Sequence, residues 1–152
     1  MRLKNIKFKP LISSKKLLLA ILLPFLYSAF VLSFVWWHCY FSQFKGGKNG
    51  QLDAYRHTLA SALVAYTTSP KVVFLVTALM ERKNKAPNIM DRHNNAIGGQ
   101  IGARIPNRAD SLKLKALESD VKMHVLQGAI NTPNSTQITW LPVQYWRESL
   151  WW

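Results

Sequence analysis

Two short stretches of the chain concentrate the side chains that act as acids, bases or metal ligands. The first, LDAYRHTLASALVAY at 52–66, places Asp53 and His57 four residues apart. The second, MDRHNNAIGGQIG at 90–102, opens with an aspartate, a histidine and two asparagines and continues into three glycines. Imidazole nitrogens and carboxylate oxygens make mixed ligand sets for zinc, manganese or iron, and a metal with open coordination positions activates water. These residue types therefore point to metal-assisted hydrolysis.

Helical spacing predicts how the two stretches meet. Asp53 and His57 share one helix face, and small residues continue that face. Gly98 and Gly102 are also four apart and form a groove without side chains, next to a ridge of isoleucines. If these small faces pack together, the polar end of the second helix lies beside Asp53 and His57. Glu81, which ends the apolar run between the two stretches, reaches the same place.

The same residues also fit a purely structural interpretation. Their spacing is neither HExxH nor any other pattern with a fixed metal geometry. In a hydrogen-bonded network, Asp53 orients His57, Asp91 caps its helix and the asparagines hold turns. His124 is expected to be an ordinary surface or core residue. The residues alone leave the site and the network both open.

An N-terminal apolar run predicts on which side of a membrane these polar residues lie. Leu17 to Trp37 is 21 residues without a charge, and as a helix it spans roughly 31 Å, the thickness of a bilayer's hydrocarbon core. Cations precede the run and no acid appears before Asp53, which predicts a cytoplasmic N-terminus. The alternative is a cleaved signal peptide. We expect a retained anchor, because the run is long for a signal peptide and no small-x-small site follows it.

The rest of the chain is predicted to be a small helical domain. Three glycines at 41–51 indicate a short flexible linker. We expect an all-α fold, in which a single N-terminal transmembrane helix precedes a domain of about four helices. The predicted segments are a cytoplasmic basic N-terminus (1–16), the anchor (17–40), the linker (41–51), the helical domain (52–128) and a loop with a tryptophan-rich tail (129–152).

Apolar runs and turn residues predict the middle helices of the domain. The run at 71–80 is too short to span a bilayer and predicts a buried helix, with a strand as the alternative. A turn at 86–88 precedes Asp91, which we expect to N-cap a helix that continues to about Ile105.

The last helix of the domain is predicted from its caps and its apolar spacing. Asp110 or Ser111 is expected to cap it, and Gly128 to end it. The residues expected on its buried face are Leu114, Leu117, Val121 and Val125.

The chain is strongly basic, with a formal net charge of +13. Six of its 20 Lys and Arg precede the apolar run, so the remainder carries 14 against 7 acids, a net charge of +7. Such a surface favours anionic phospholipid, acidic cell-wall polymers or nucleic acid, or it is a solvated face without a dedicated partner. Nucleic acid ranks last, because no recognisable motif interleaves aromatic and basic residues. Cys39 is the single cysteine, which excludes an internal disulfide.

The motifs D-A-[YF]-R-H-x3-x-A-L and M-D-x-H-N-N-x-[IV]-G together resemble a bacterial family of unknown function. Its members are secreted or envelope-facing domains and modules of exported proteins. The resemblance covers Asp53 to about Gly128. Family members often read A-H-E where this chain has Leu79-Met80-Glu81, so the histidine is absent and the glutamate remains. If that histidine is a metal ligand or general base in the family, the resemblance implies that this chain is a weakened or inactive version. By position, the family's marked residues are Asp53, Arg56, His57, Glu81, Asp91, His93, Asn94, Asn95 and Gly98.

The leading hypothesis is a single-pass protein of the bacterial inner membrane with its domain in the periplasm. The domain is a metal-dependent hydrolase of an anionic envelope substrate, such as lipid or cell-wall material, and uses a divalent metal such as zinc or manganese. The alternative is a non-catalytic envelope protein, such as an exclusion, immunity or assembly factor, whose polar cluster is structural. The roles expected are catalysis by Asp53, His57, Glu81, Asp91 and His93, metal ligation by His57, Glu81, Asp91 and His93, and substrate binding by Arg56, Asn94 and Asn95.

Overall fold

The computed structural model describes residues 14–107, 112–128 and 137–148. Over these ranges the regular structure is helical, apart from a single antiparallel bridge between Lys48 and Arg147. The all-α prediction, with one apolar N-terminal helix followed by four more, is confirmed. The helices are α1 (Ser14–Tyr40), α2 (Gln51–Thr67), α3 (Pro70–Met80), α4 (Ala86–Arg104) and α5 (Lys113–Leu126), with 3-10 turns at Ile105–Asn107 and Val143–Tyr145.

Helix α1 carries the predicted apolar run. The chain divides into two compact units, Met1–Phe30 and Val31–Trp152. In the first unit, large apolar side chains such as Ile21 and Phe25 are exposed around the helix. The segment Lys15–Tyr40 is long and apolar enough to cross a membrane, a property that it shares with signal sequences.

Helix α2 is the central element of the second unit. Its apolar residues recur at the three-four spacing of a helix and are buried at Leu52, Tyr55, Leu59 and Leu63, whereas Tyr66 remains partly exposed. The neighbouring elements complete the core. The buried side chains that they contribute include Val31 and Val35 of α1, Met90 and Ile101 of α4, and Leu117, Val121 and Val125 of α5.

The glycines of α4 pack directly against the backbone of α2, as the sequence predicts. A Cβ atom on Gly98 would lie 2.8 Å from the Cβ of Ser61 and would overlap the carbonyl oxygen of Thr58. At Gly102 it would overlap the carbonyl oxygen of Ala62. Only glycine permits this approach, because real Cβ atoms do not come so close to a neighbouring backbone.

The start of α4 differs from the prediction. The helix begins at Ala86 with Pro87 in its first turn, and Lys85 is its N-cap residue. The predicted turn at 86–88 and the predicted capping role of Asp91 are therefore wrong. The physical reason is that the fixed φ and missing N–H of proline suit a first helical turn. Asp91 is the sixth residue of the helix, too far from its N-terminus to cap it, and its side chain is directed towards His57 of α2.

The ends of α5 are close to the prediction, but its buried face is shorter. Leu114, in the first turn, is 46% exposed, so burial begins one turn later, at Leu117. The helix ends at Leu126, two residues before Gly128. The proposed caps Asp110 and Ser111 lie outside the described residues.

The prediction for residues 71–80 is right about the element and wrong about its burial. Helix α3 forms, and the alternative strand does not. Val73 is its buried residue. The prediction of burial fails because an apolar composition does not tell whether a helix is covered by its own protein or by another apolar surface. The large apolar side chains that α3 exposes are Val72, Phe74, Leu75, Val76, Leu79 and Met80.

The segment before α2 packs against the C-terminal part of the chain. Lys48 and Arg147 exchange backbone hydrogen bonds of 3.0 and 3.1 Å. Gly46, at a φ of +73°, lies against the ring of Trp146. Trp140 is buried, and the last two tryptophans of the predicted tail lie outside the described residues.

Candidate functional site

Three of the predicted residues converge between α2 and α4. The Nε2 atom of His57 lies 3.5 Å from Oδ1 of Asp53 and 3.5 Å from Oδ1 of Asp91. One potential ligand atom from each residue lies within 4.8 Å of the other two. We call these three residues the Asp/His cluster. Asp53 and His57 meet because they are one helical turn apart, and Asp91 joins them because Gly98 lets α4 approach α2.

Asp53 is the most firmly held member of the Asp/His cluster. It is 4% exposed, and its Oδ2 accepts a 2.6 Å hydrogen bond from the backbone N–H of Asn49. Its Oδ1 accepts a hydrogen bond from Nη2 of Arg56, one turn along the same helix. The Arg56 guanidinium also lies 6.0 Å from the centre of the Trp36 ring. Arg56 is therefore buried against Asp53, and its charge offsets that of the carboxylate.

Asp91 is the electrostatically unusual member. Burial raises its pKa from an ordinary 3.8 to about 7. The charge of His57 acts against this shift, while the carboxylates of Asp53 and Glu81 add to it. Oδ1 of Asp91 is buried and has no hydrogen-bond partner among the residues that the structure describes. A carboxyl group in this situation is partly protonated at neutral pH and gains from any cation that reaches it.

Glu81 lies at the edge of the Asp/His cluster. It is the residue that follows α3, and its Oε2 accepts a 2.6 Å hydrogen bond from the side-chain amide of Asn88. Its negative charge raises the pKa of Asp91, so the two carboxylates are close enough to interact. Arg92 fixes the backbone here by donating to the carbonyl oxygens of Glu81 and Lys83, at 2.6 and 3.0 Å. Glu81 is near the cluster but not one of its three members.

His93 does not join the Asp/His cluster. Two residues along a helix correspond to a rotation of roughly 200°, so His93 lies on nearly the opposite side of α4 from Asp91. Its ring instead faces that of His124, with 5.7 Å between ring centroids. The expected convergence of His57 and His93 is not observed, because the rotation of α4 admits only one of Asp91 and His93.

The two asparagines of the second motif are used inside the fold. Asn94 is fully buried, and its amide nitrogen donates to the carbonyl oxygen of Thr139 at 2.8 Å. Its Oδ1 lies 3.2 Å from Nε2 of His124. Oδ1 of Asn95 accepts a 2.9 Å hydrogen bond from the hydroxyl of Ser61. Both side chains therefore connect α4 to neighbouring elements.

Sequence reasoning missed the pairing of His93 with His124. Burial lowers the pKa of both imidazoles, and that of His124 falls to about 4 with a further contribution from His93. Two neutral, partly buried imidazoles next to Asn94 form a polar layer between α4 and α5. No local pattern indicates it, because Asn94 and His124 are 30 residues apart in the chain.

The chemical capacity of the site follows from its donor set. Asp53, His57 and Asp91 offer one imidazole nitrogen and two carboxylate oxygens to a single point, a set suited to zinc, manganese or iron. Three protein ligands leave coordination positions for water or substrate. The structure thus provides the residues for a divalent cation with an open coordination sphere.

Comparison with known proteins identifies a family but no activity. A family model described as a domain of unknown function (DUF6973) matches residues 36–125, more than half of the chain. The match begins inside α1, earlier than the Asp53 at which the resemblance in the sequence starts, and it includes the whole Asp/His cluster. Neither the curated proteins nor the solved structures contain a match to the chain.

Proposed function

The chain belongs to the DUF6973 family, and we propose that its domain binds a divalent cation at the Asp/His cluster and hydrolyses an anionic substrate of the bacterial envelope. The observation that carries this proposal is the convergence of Asp53, His57 and Asp91 within 4.8 Å. Asp53, His57 and Asp91 would hold the cation, which would supply Lewis acidity and activate water for hydrolysis.

The electrostatics of Asp91 support cation binding. The buried carboxyl group of Asp91, whose pKa is raised to about 7, has a cost of ionisation that His57 offsets only in part. A cation removes that cost by neutralising Asp91. Glu81 adds a further negative charge nearby, and Arg56 positions the carboxylate of Asp53.

The charge of the chain supports an anionic substrate. Beyond the N-terminal cations, 14 Lys and Arg stand against 7 acids. A net positive surface raises the local concentration of anionic lipid or cell-wall polymer near the site. Both substrate classes carry phosphoryl or carboxyl groups that a divalent cation polarises.

A structural role for the cluster is the second candidate, and one observation favours it. Both oxygens of Asp53 already accept hydrogen bonds, from Asn49 and Arg56. In that case the domain is a non-catalytic envelope factor, and Asp53 serves to join the start of α2 to the preceding turn. Cation binding separates the two candidates, because a structural network does not require a cation.

The test is cation binding by the full chain in mild detergent after treatment with a chelator. We expect titration calorimetry with Mn²⁺ or Zn²⁺ to reveal one site. His57→Ala and Asp91→Asn should each weaken it by roughly ten-fold or more, since each removes a direct ligand and even indirect partners contribute on this scale.

His93→Ala is the matched control for this test. His93 is two residues from Asp91 on the same helix, yet it faces His124 rather than the Asp/His cluster. This variant should bind the cation as the natural chain does. Absence of binding, or equal losses in all three variants, would contradict the cation site and favour the structural candidate.

For location, we propose that α1 remains as an inner-membrane anchor with the N-terminus in the cytoplasm and the domain in the periplasm. Buried Val31 and Val35 support retention, because cleavage after the apolar run would remove them from the core of the second unit. Alkaline phosphatase fused to the C-terminus should be active, and fused before Ser14 inactive. Reversed activities, or a mature chain lacking the apolar run, would contradict this topology.

A further inference from the structure

Helix α3 exposes an apolar surface that the cation site does not explain. Phe74, Leu75, Leu79 and Met80 are between 60% and 71% exposed. Apart from Lys71, the eleven residues of the helix are uncharged. Contiguous exposed apolar side chains of this size mark a surface that contacts protein or membrane.

The charges around α3 identify which of these contacts fits. The exposed charged residues in the first turn of α3 and in the segment that follows the helix are all basic: Lys71, Arg82, Lys83 and Lys85. Glu81 is the single acid between Pro70 and Ala86, and its carboxylate accepts a hydrogen bond from the Asn88 amide. An apolar helix bordered by cations complements an anionic bilayer, whose acyl region lies beneath negatively charged headgroups.

A groove beside the helix extends the apolar surface. It has a volume of about 460 Å³ and lies between α3 and α4, lined by residues that include Val73, Phe74, Ala96 and Gly99. The missing side chain of Gly99 widens the groove. A Cβ atom at this position would lie in the groove, at an ordinary contact distance of 3.7 Å from Val73. The groove therefore continues the apolar surface of α3 towards α4.

We propose that α3 is a membrane-binding helix that lies in the interface of an anionic bilayer. Its outward side chains, centred on Leu75 and Leu79, enter the acyl region, while Lys71 and the basic residues 82–85 contact anionic headgroups. A helix of eleven residues is about 16 Å long and cannot span the bilayer, but it can lie in the plane of the interface. The chain then has a second membrane contact in addition to α1.

Binding of α3 to the membrane would also place the Asp/His cluster close to the lipid headgroups. Glu81 follows the last residue of α3 and interacts electrostatically with Asp91. The headgroups bound by residues 82–85 are therefore presented at the end of α3 nearest the cluster. The proposal does not depend on cation binding, because immersion of α3 is measured independently of any metal.

The test is the depth of nitroxide labels on the full chain in lipid vesicles. Labels at Leu75→Cys and Leu79→Cys are made in a Cys39→Ala background, so that each chain has a single thiol. In vesicles containing phosphatidylglycerol, we expect relaxation by dissolved oxygen to exceed relaxation by a water-soluble nickel chelate at both positions.

Leu126→Cys is the matched control. Leu126 is a leucine 65% exposed on α5, similar in exposure to Leu75, but the lysines of its helix are accompanied by Glu118 and Asp120. Its label should be reached mainly by the nickel chelate. Replacing phosphatidylglycerol by phosphatidylcholine, or all four basic residues flanking α3 by glutamine, should lower immersion of the α3 labels, since each cation contributes roughly five-fold in affinity for an anionic surface.

The other outcomes overturn the proposal. Labels at Leu75 and Leu79 that behave like the label at Leu126 in every vesicle would place α3 in water. Labels shielded from both reagents, in detergent as well as in vesicles, would show that protein covers the helix. If the labels at Leu75 and Leu79 were equally immersed in phosphatidylcholine vesicles, neither the basic residues nor anionic lipid would be needed for binding, which contradicts the proposal.

Discussion

Gly102→Ala is expected to destabilise the domain by about 1–3 kcal/mol, although alanine is the better helix former. The new Cβ would overlap the carbonyl oxygen of Ala62 and lie 2.8 Å from the Cβ of Ala65. These atoms belong to the central helix and cannot rotate away, so α2 and α4 must separate. Gly98→Ala should act in the same way through Thr58 and Ser61.

Gly99→Ala is the control, one residue away from Gly98 on the same helix. Its nearest neighbour is Val73 at 3.7 Å, which leaves room for a methyl group. With no overlap, the gain in helix propensity should make this variant neutral or more stable by up to about 1 kcal/mol. Unfolding followed by tryptophan fluorescence on the full chain in detergent measures all three variants. A similar change in stability at Gly99 and Gly102 would contradict the interpretation that Gly102 is required for close contact between α2 and α4.

Asp91→Asn is expected to stabilise the cation-free domain above pH 7. The pKa of Asp91 is raised above its ordinary value, so its contribution to stability is complete below about pH 3.8 and is lost as the pH rises through about 7. Asparagine has the same shape and never ionises. The gain in unfolding free energy at pH 8 has an upper bound of about 4 kcal/mol, since one pKa unit corresponds to 1.36 kcal/mol.

The comparison must be made between variants at each pH. The pKa of His124 is lowered to about 4, so its contribution has the opposite sign and is lost as the pH falls from about 6.5 towards 4. That contribution is the same in both chains and cancels in their difference. With a chelator present, the advantage of Asp91→Asn should be small at pH 4 and large at pH 8. A difference that does not change with pH, or a less stable variant at pH 8, would show that Asp91 does not ionise at a cost in the folded state.

Added Mn²⁺ should reduce the stability advantage of Asp91→Asn at pH 8. A cation that binds only the folded state stabilises it by mass action, and it does so through the carboxylate form of Asp91. The natural chain at pH 8 should therefore gain more stability than Asp91→Asn does, because its cation site is the tighter one. This result would connect the raised pKa of Asp91 to the proposed cation site.

The sequence by itself determined the helices and one half of the site. Asp53, Arg56 and His57 recur at the three-and-four spacing of a helix, so their shared face is a property of a single segment. The close contact at Gly98 and Gly102 was also predictable, because two glycines four residues apart leave a strip of bare backbone. The family resemblance rests on the same short motifs, and the match over residues 36–125 agrees with it.

Only the tertiary structure decided which residue of the second motif joins the first. Asp91 and His93 are both ligands by type, and the sequence assigned both to the site. The rotation of α4 about its axis, with Pro87 in its first turn and Gly98 against α2, directs Asp91 to His57 and leaves His93 facing His124. Rotation is set by packing along the whole helix, which no local pattern encodes.

Burial was likewise decided in three dimensions. The hydrogen bond from Asn94 to the carbonyl of Thr139 joins residues 45 positions apart, and no local sequence pattern relates residues so far apart in the chain. Helix α3 was predicted to be buried from its apolar composition, yet it packs on the domain chiefly through Val73. Composition determines that a helix prefers an apolar environment, whereas the fold determines how much of that environment the protein itself provides.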